Sequence, residues 1–166
     1  MWMPGFILDN LSLILCSVVM LLAFTAKTGK SDLIALGVWI ALGVVMAFAS
    51  NLVLSLAKSV SSNGYVIWYG AWALFDLIGL YALYLLHRYF KCSSSQLALL
   101  VSISFVILAV LQGVGFIDRG VLGWKSADDF YRYMILAVNI AIVPMSVFYI
   151  WPSVKKNLLP RLMSSR

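Results

Sequence analysis

Glutamate is missing from this 166-residue chain, and charge of either sign is scarce. Charged residues make up 11% of it, against roughly 25% in an average soluble domain. All six acids are aspartates, namely Asp9, Asp32, Asp76, Asp118, Asp128 and Asp129. The missing Glu excludes any mechanism built on an intramembrane glutamate. The single histidine, His87, is too few for a haem or metal site, which takes several ligands. It reads as an interfacial residue at a helix end. The two cysteines, Cys16 and Cys92, form no C-x-x-C pair, which excludes membrane thiol oxidoreductases. One falls mid-helix and the other in a loop, about 15 Å apart in depth, too far for a disulfide. No serine pairs with His87 at a common depth as nucleophile and base would. No second carboxylate joins Asp76, and no Gly-rich phosphate loop occurs. These absences predict a protein that is not an enzyme, with no catalytic residues, cofactor or metal. No Lys/Arg-rich soluble module is present either, so nucleic acid is not expected as a direct ligand.

What the chain has in abundance is apolar surface. Hydrophobic residues are 63% of the sequence and mean hydropathy is +1.00. A bilayer-spanning helix needs about 20 mostly apolar residues. Five stretches qualify, over residues 6–26, 33–57, 65–87, 97–117 and 130–151. The expected fold is therefore all-α, a single polytopic transmembrane domain over residues 1–166, with a basic tail over 152–166. The first stretch lacks a basic n-region and a small-residue cleavage pattern, so it reads as a retained span rather than a secretory signal. Turn chemistry agrees with these boundaries. Gly29 suits a helix C-terminus and Ser31 an N-cap; Asn63-Gly64 signals a turn; Ser93, Ser94 and Ser95 offer a further cap. The connection Asp118–Asp129 is the long loop, and its residues 121–124 suit the membrane interface because Trp124 favours that layer.

Topology follows from counting cations. Five spans place Lys27, Lys30, Arg88, Lys91, Lys155, Lys156, Arg161 and Arg166 on one side, and Lys58, Arg119, Lys125 and Arg132 on the other. Eight against four predicts an outer N-terminus and a cytoplasmic C-terminus. Short loops and this bias suggest a bacterial inner membrane. Arg88, Lys91, Lys155, Lys156 and Arg161 then form a basic cytoplasmic face that suits a protein partner or anionic lipid.

Polar groups in a membrane should face protein or water. Each span carries some at helical spacing. The sets are Asp9, Ser12 and Cys16; Gly43, Ala47, Asn51 and Ser55; Tyr69, Trp72, Ala73, Asp76, Gly79 and Leu80, then Tyr84 and His87; Ser102, Ala109, Gln112 and Gly113; and Arg132, Asn139 and Ser146. Asp9 shares a depth with Lys58 and Arg132 and is a candidate ion-pair partner for either. The small-residue pairs Gly37/Ala41, Gly43/Ala47 and Ala109/Gly113 permit close helix approach. A five-helix protomer has little interior, so a homo-oligomer is expected.

Asp76 stands apart. It sits eleven residues from each end of its span, where an ionised Asp costs at least ~2.5 kcal/mol. Asn139 matches it in depth, and Pro144 frees the Ile140 carbonyl nearby. Asp76, Asn139, Asn51, Gln112 and Ser102 are the candidate intramembrane polar core. Asp76 either works on a proton or hard cation, or fastens the bundle by bonding Asn139 or a serine of the fourth span. Two functions fit. The first is a non-enzymatic membrane subunit: an oligomeric anchor, sensor or accessory protein for a partner. The alternative is an ion or proton channel or transport protein centred on Asp76 and Asn139.

Overall fold

The computed structural model describes residues 3–60, 64–123 and 128–160, the side chains of 3–10, 128 and 129 aside. Every described element is a helix. They are α1 (Met3–Thr25), α2 (Lys30–Ser59), α3 (Gly64–Tyr89), α4 (Gln96–Phe116) and α5 (Asp128–Asn157). A π-helical turn, Ile117–Val121, extends α4 without a break. Helix is the form these runs must take in lipid, because it satisfies each backbone polar group within its own segment. Four of the helices, Lys30–Ser59, Gly64–Tyr89, Gln96–Val121 and Phe130–Asn157, are long and apolar enough to cross a membrane. In α1 the described side chains give a shorter apolar stretch, Leu11–Thr25. Outward faces carry Phe48 at 82% and Phe148 at 71% exposure. Bare aromatic and aliphatic groups on that scale fit a lipid surround rather than water.

The turns show how the chain reverses. After α1, Lys27 takes a left-handed conformation (φ 53°). The Thr28 N–H then donates to the Ala23 carbonyl at 3.0 Å and the Lys27 N–H to that of Phe24 at 3.1 Å. Lys91 (φ 49°) repeats the motif after α3, with Cys92 N–H donating to His87 and Lys91 N–H to Arg88. Both are Schellman caps, with lysine where glycine is the usual choice. The left-handed residue was expected to be Gly29, but Gly29 instead precedes α2 in an ordinary extended conformation. Ser31 does not cap α2, since its hydroxyl is drawn into the interior. Ser95 does cap α4 as expected, accepting from the Ala98 N–H at 3.1 Å.

Each helix packs on its neighbours in sequence, α5 closes the ring against α1, and α2 meets α4 across the middle. The wall between α2 and α4 carries Trp39 against Phe105, ring centres 5.1 Å apart. At Gly79, α3 presses into this wall. A Cβ there would lie 2.7 Å from Phe105 Cζ and 2.9 Å from Leu42 Cδ2. The α1–α5 seam is held by two hydrogen bonds. Ser12 Oγ donates to the Asn139 carbonyl (2.9 Å) and Asn157 Nδ2 to the Ala26 carbonyl (2.8 Å).

Several expectations change in detail. The segment 152–157 is not a separate tail: α5 runs through Pro144 and Pro152 to Asn157. Residues 161–166, with Arg161 and Arg166, lie outside the described residues, as do Asn63, Trp124 and Lys125 and the side chain of Asp9. The long loop is shortened by the π-helical turn, which buries Asp118. The small-residue pairs act in part inside the protomer, since a Cβ on Gly43 would lie 2.9 Å from Leu13 Cδ1. Gly37 and Gly43 face Met20 and Leu13 of α1, but Ala41, Ala47 and Gly113 are exposed.

Candidate functional site on the buried face of α3

Helix α3 turns one face inward: Tyr69, Asp76, Gly79, Leu83 and His87. Steps of seven, three, four and four residues keep these side chains in line. The line has a polar cluster at each end and a bare carboxylate between them.

At the end where α4 leads into α5, the Tyr131 hydroxyl donates to Gln112 Oε1 at 2.6 Å. Tyr69 meets Tyr131 edge to face, ring centres 5.6 Å apart. Gly115 makes the room, since a Cβ there would stand 2.6 Å from the Tyr69 ring. Arg119 hydrogen-bonds the Tyr69 side chain. The π-helical turn makes this geometry possible. Its wider coil folds Asp118 into the protein and holds Arg119 half-buried beside Tyr69. Single π turns inside α-helices recur at functional sites.

At the opposite end, His87 is buried and fully engaged. Its Nδ1 lies 2.8 Å from the Leu83 carbonyl, which can only accept, so Nδ1 carries the proton. Its Nε2 lies 2.7 Å from Ser31 Oγ. The Ser95 N–H donates to that same oxygen at 2.8 Å, which leaves the Ser31 proton for Nε2. One hydroxyl and one imidazole thus tie together the start of α2, the end of α3 and the loop before α4. His87 was expected to have no serine at its depth; the structure instead sets Ser31 Oγ 2.7 Å from its Nε2, an internal latch at the helix end.

Between the clusters, Asp76 is 1% exposed and neither carboxylate oxygen has a hydrogen-bond partner. The expected bonds are not made. Ser102 and Ser104 return their hydroxyls to the Ala98 and Leu100 carbonyls of their own helix. The Asn139 side chain is half-buried on α5, and neither Asp76 oxygen bonds it. Ser146 Oγ is the other described buried side-chain atom without a partner. A buried, unbonded polar group costs on the order of 1–3 kcal/mol. Asp76 is therefore not a fastener of the bundle in this arrangement.

The remaining predicted residues separate. Gln112 joins the tyrosine cluster. Asn51, with Ala47 and Ser55, points outward from α2 rather than into the protomer. Arg88, Lys91, Lys155 and Lys156 are exposed, and the Ser31–His87–Ser95 latch and the Asn157–Ala26 bond gather them with Lys27 and Lys30 at one end of the bundle. No group of three His, Cys or Asp side chains that could hold a metal occurs among the described residues. Tyr69 was legible as a heptad neighbour of Asp76. Tyr131, Arg119 and the Ser31 latch carried no sequence signal, because their partners come from distant segments. The chain matches no protein-family model, no curated protein and no solved structure.

Proposed function

We propose that this chain is a non-enzymatic integral membrane subunit that works by packing against further membrane helices. In this reading five helices span an inner membrane, the N-terminus is outside, and the basic end is cytoplasmic. It acts as an oligomeric anchor, sensor or accessory protein. The observation that carries the proposal is Asn51. It is exposed on α2 with Ala47 and Ser55 one turn to either side. It lies about 10 Å from the helix midpoint, within a hydrocarbon layer of roughly 15 Å half-thickness. Its neighbours Ser50, Ser55 and Ser59 bond their own helix, at 2.8 Å each. A primary amide facing lipid leaves its donors unmet, and interhelical amide bonds supply them. A second copy of the same face meets that need. The test is oxidative cross-linking in membranes of a Ser55→Cys variant in a Cys92→Ser background. A covalent dimer is expected, lost on adding Asn51→Leu and absent for Leu77→Cys on the exposed side of α3. A monomer by light scattering in lipid nanodiscs, with no cross-link at residue 55, overturns the proposal.

A second reading, proton or ion passage, is favoured by the unpartnered burial of Asp76 alone. Its test is flux in proteoliposomes. Conduction in the wild type that disappears in Asp76→Asn supports it, and silence from both intact proteins opposes it.

A further inference from the structure

A groove of about 630 Å³ opens between α3 and α4 at the basic end. Its polarity changes along its length. The part away from the mouth is walled by Leu80, Leu83 and Tyr84, with Ser102 facing them from α4. Two polar residues there are already bonded within the protein, and the third, Tyr84, is a neutral phenol. Ser102 has given its proton to the Ala98 carbonyl. His87 has both ring nitrogens engaged, with Leu83 and Ser31. The cationic donors sit at the mouth: Arg88 and Lys91, beside the hydroxyls of Ser93 and Ser94, each exposed. Neither Arg88 nor Lys91 pairs with a carboxylate among the described residues. The Schellman cap fixes Lys91 directly after α3, and α4 adds the positive end of its dipole at Gln96. From Leu80 to Arg88 the wall runs about 12 Å along the helix axis, most of the depth of one leaflet.

We propose that this groove binds one anionic phospholipid from the bilayer. Its phosphate is held by Arg88, Lys91 and the two serine hydroxyls, and one acyl chain lies along Leu80, Leu83 and Tyr84. Charge complementarity chooses the headgroup, and the mostly apolar inner half, with no cation in it, selects a lipid over a free phosphate. The site depends on the protein's residence in a membrane and not on its oligomeric state, so it stands or falls separately from the α2 interface.

The test is native mass spectrometry of the detergent-purified protein titrated with phosphatidylglycerol or with phosphatidylcholine of the same chains. One tightly held phosphatidylglycerol is expected, with phosphatidylcholine bound more weakly. The Arg88→Gln/Lys91→Gln double variant should weaken phosphatidylglycerol binding by at least about tenfold. The Lys155→Gln/Lys156→Gln variant removes the same charge from the same end and should leave binding unchanged. Ser102→Phe, which fills the groove's inner half, should also displace the lipid while Arg88 and Lys91 remain. Inorganic phosphate should not compete. Equal losses in both charge variants would mean diffuse attraction to the leaflet and overturn the site. So would competition by phosphate, or unchanged binding in the Arg88/Lys91 variant. All variants change exposed or half-buried side chains, and their folding is checked by helical circular dichroism and elution volume.

Discussion

At the scale of single residues, the decisive contrast is between His87 and Asp76. They lie on the same face of α3, eleven residues apart, and both are buried. His87 has a partner for each nitrogen; Asp76 has none for either oxygen. The first is expected to contribute to stability and the second to subtract from it. Replacing Asp76 by valine, close in volume and with nothing to solvate, should raise stability by about 1–3 kcal/mol. The measurement is the unfolding midpoint in mixed micelles of increasing denaturing detergent. A fall instead of a rise would mean that the carboxyl holds the helices together, and it would remove the reason to look for work done by Asp76. The opposite sign is expected for His87→Ala, which strands the Ser31 hydroxyl and the Leu83 carbonyl and should lower the same midpoint by on the order of 1–3 kcal/mol.

At the scale of elements, spacing motifs mark only part of the close approach, such as that of Gly43 to Leu13. Gly79 belongs to none of the small-residue pairs picked from the sequence, yet α3 meets α2 and α4 there. Gly113 belongs to such a pair, and nothing lies within 4 Å of a Cβ placed on it. Gly79→Leu should therefore cost about 1–3 kcal/mol by overpacking against Phe105 and Leu42. Gly113→Leu should leave the monomer's unfolding midpoint in place or raise it slightly. Equal effects in the same detergent titration would contradict the assigned packing. The contrast also shows what hydropathy can and cannot convey. The helices themselves were legible, because a run of apolar residues and a capping serine such as Ser95 are local signals, but α5 runs six residues past its expected end at 151. The inward faces of α1 and α3 were partly legible, through Ser12, Cys16, Tyr69 and Asp76. The orientation of α2 was not, since lipid is as apolar as a protein core and both sides of the helix read alike. Asn51 was placed inside for that reason, whereas the structure turns it outward.

At the scale of the whole molecule, the charge asymmetry of the sequence becomes an asymmetry of the two ends of the bundle. Lys27, Lys30, Arg88, Lys91, Lys155 and Lys156 are exposed at one end. That end is bound into a unit by the Ser31–His87–Ser95 latch and by Asn157 reaching Ala26, so the cations cannot be divided between two sides of a membrane. Cations flanking short loops remain in the cytoplasm. The native cysteines give a direct reading of this. Cys92 sits half-buried in the loop after α3, at the basic end, and Cys16 is completely buried in the core. An impermeant maleimide should therefore react at one position per chain. It should label Cys92 in inverted membrane vesicles and leave it unmodified in right-side-out vesicles until they are permeabilised. Cys92→Ser should abolish the signal in both, which identifies the reacting site. Labelling from the outer side would reverse the orientation and place the phospholipid groove in the other leaflet. Equal labelling from both sides would mean that the chain inserts in two orientations, an outcome that the fixed basic end opposes.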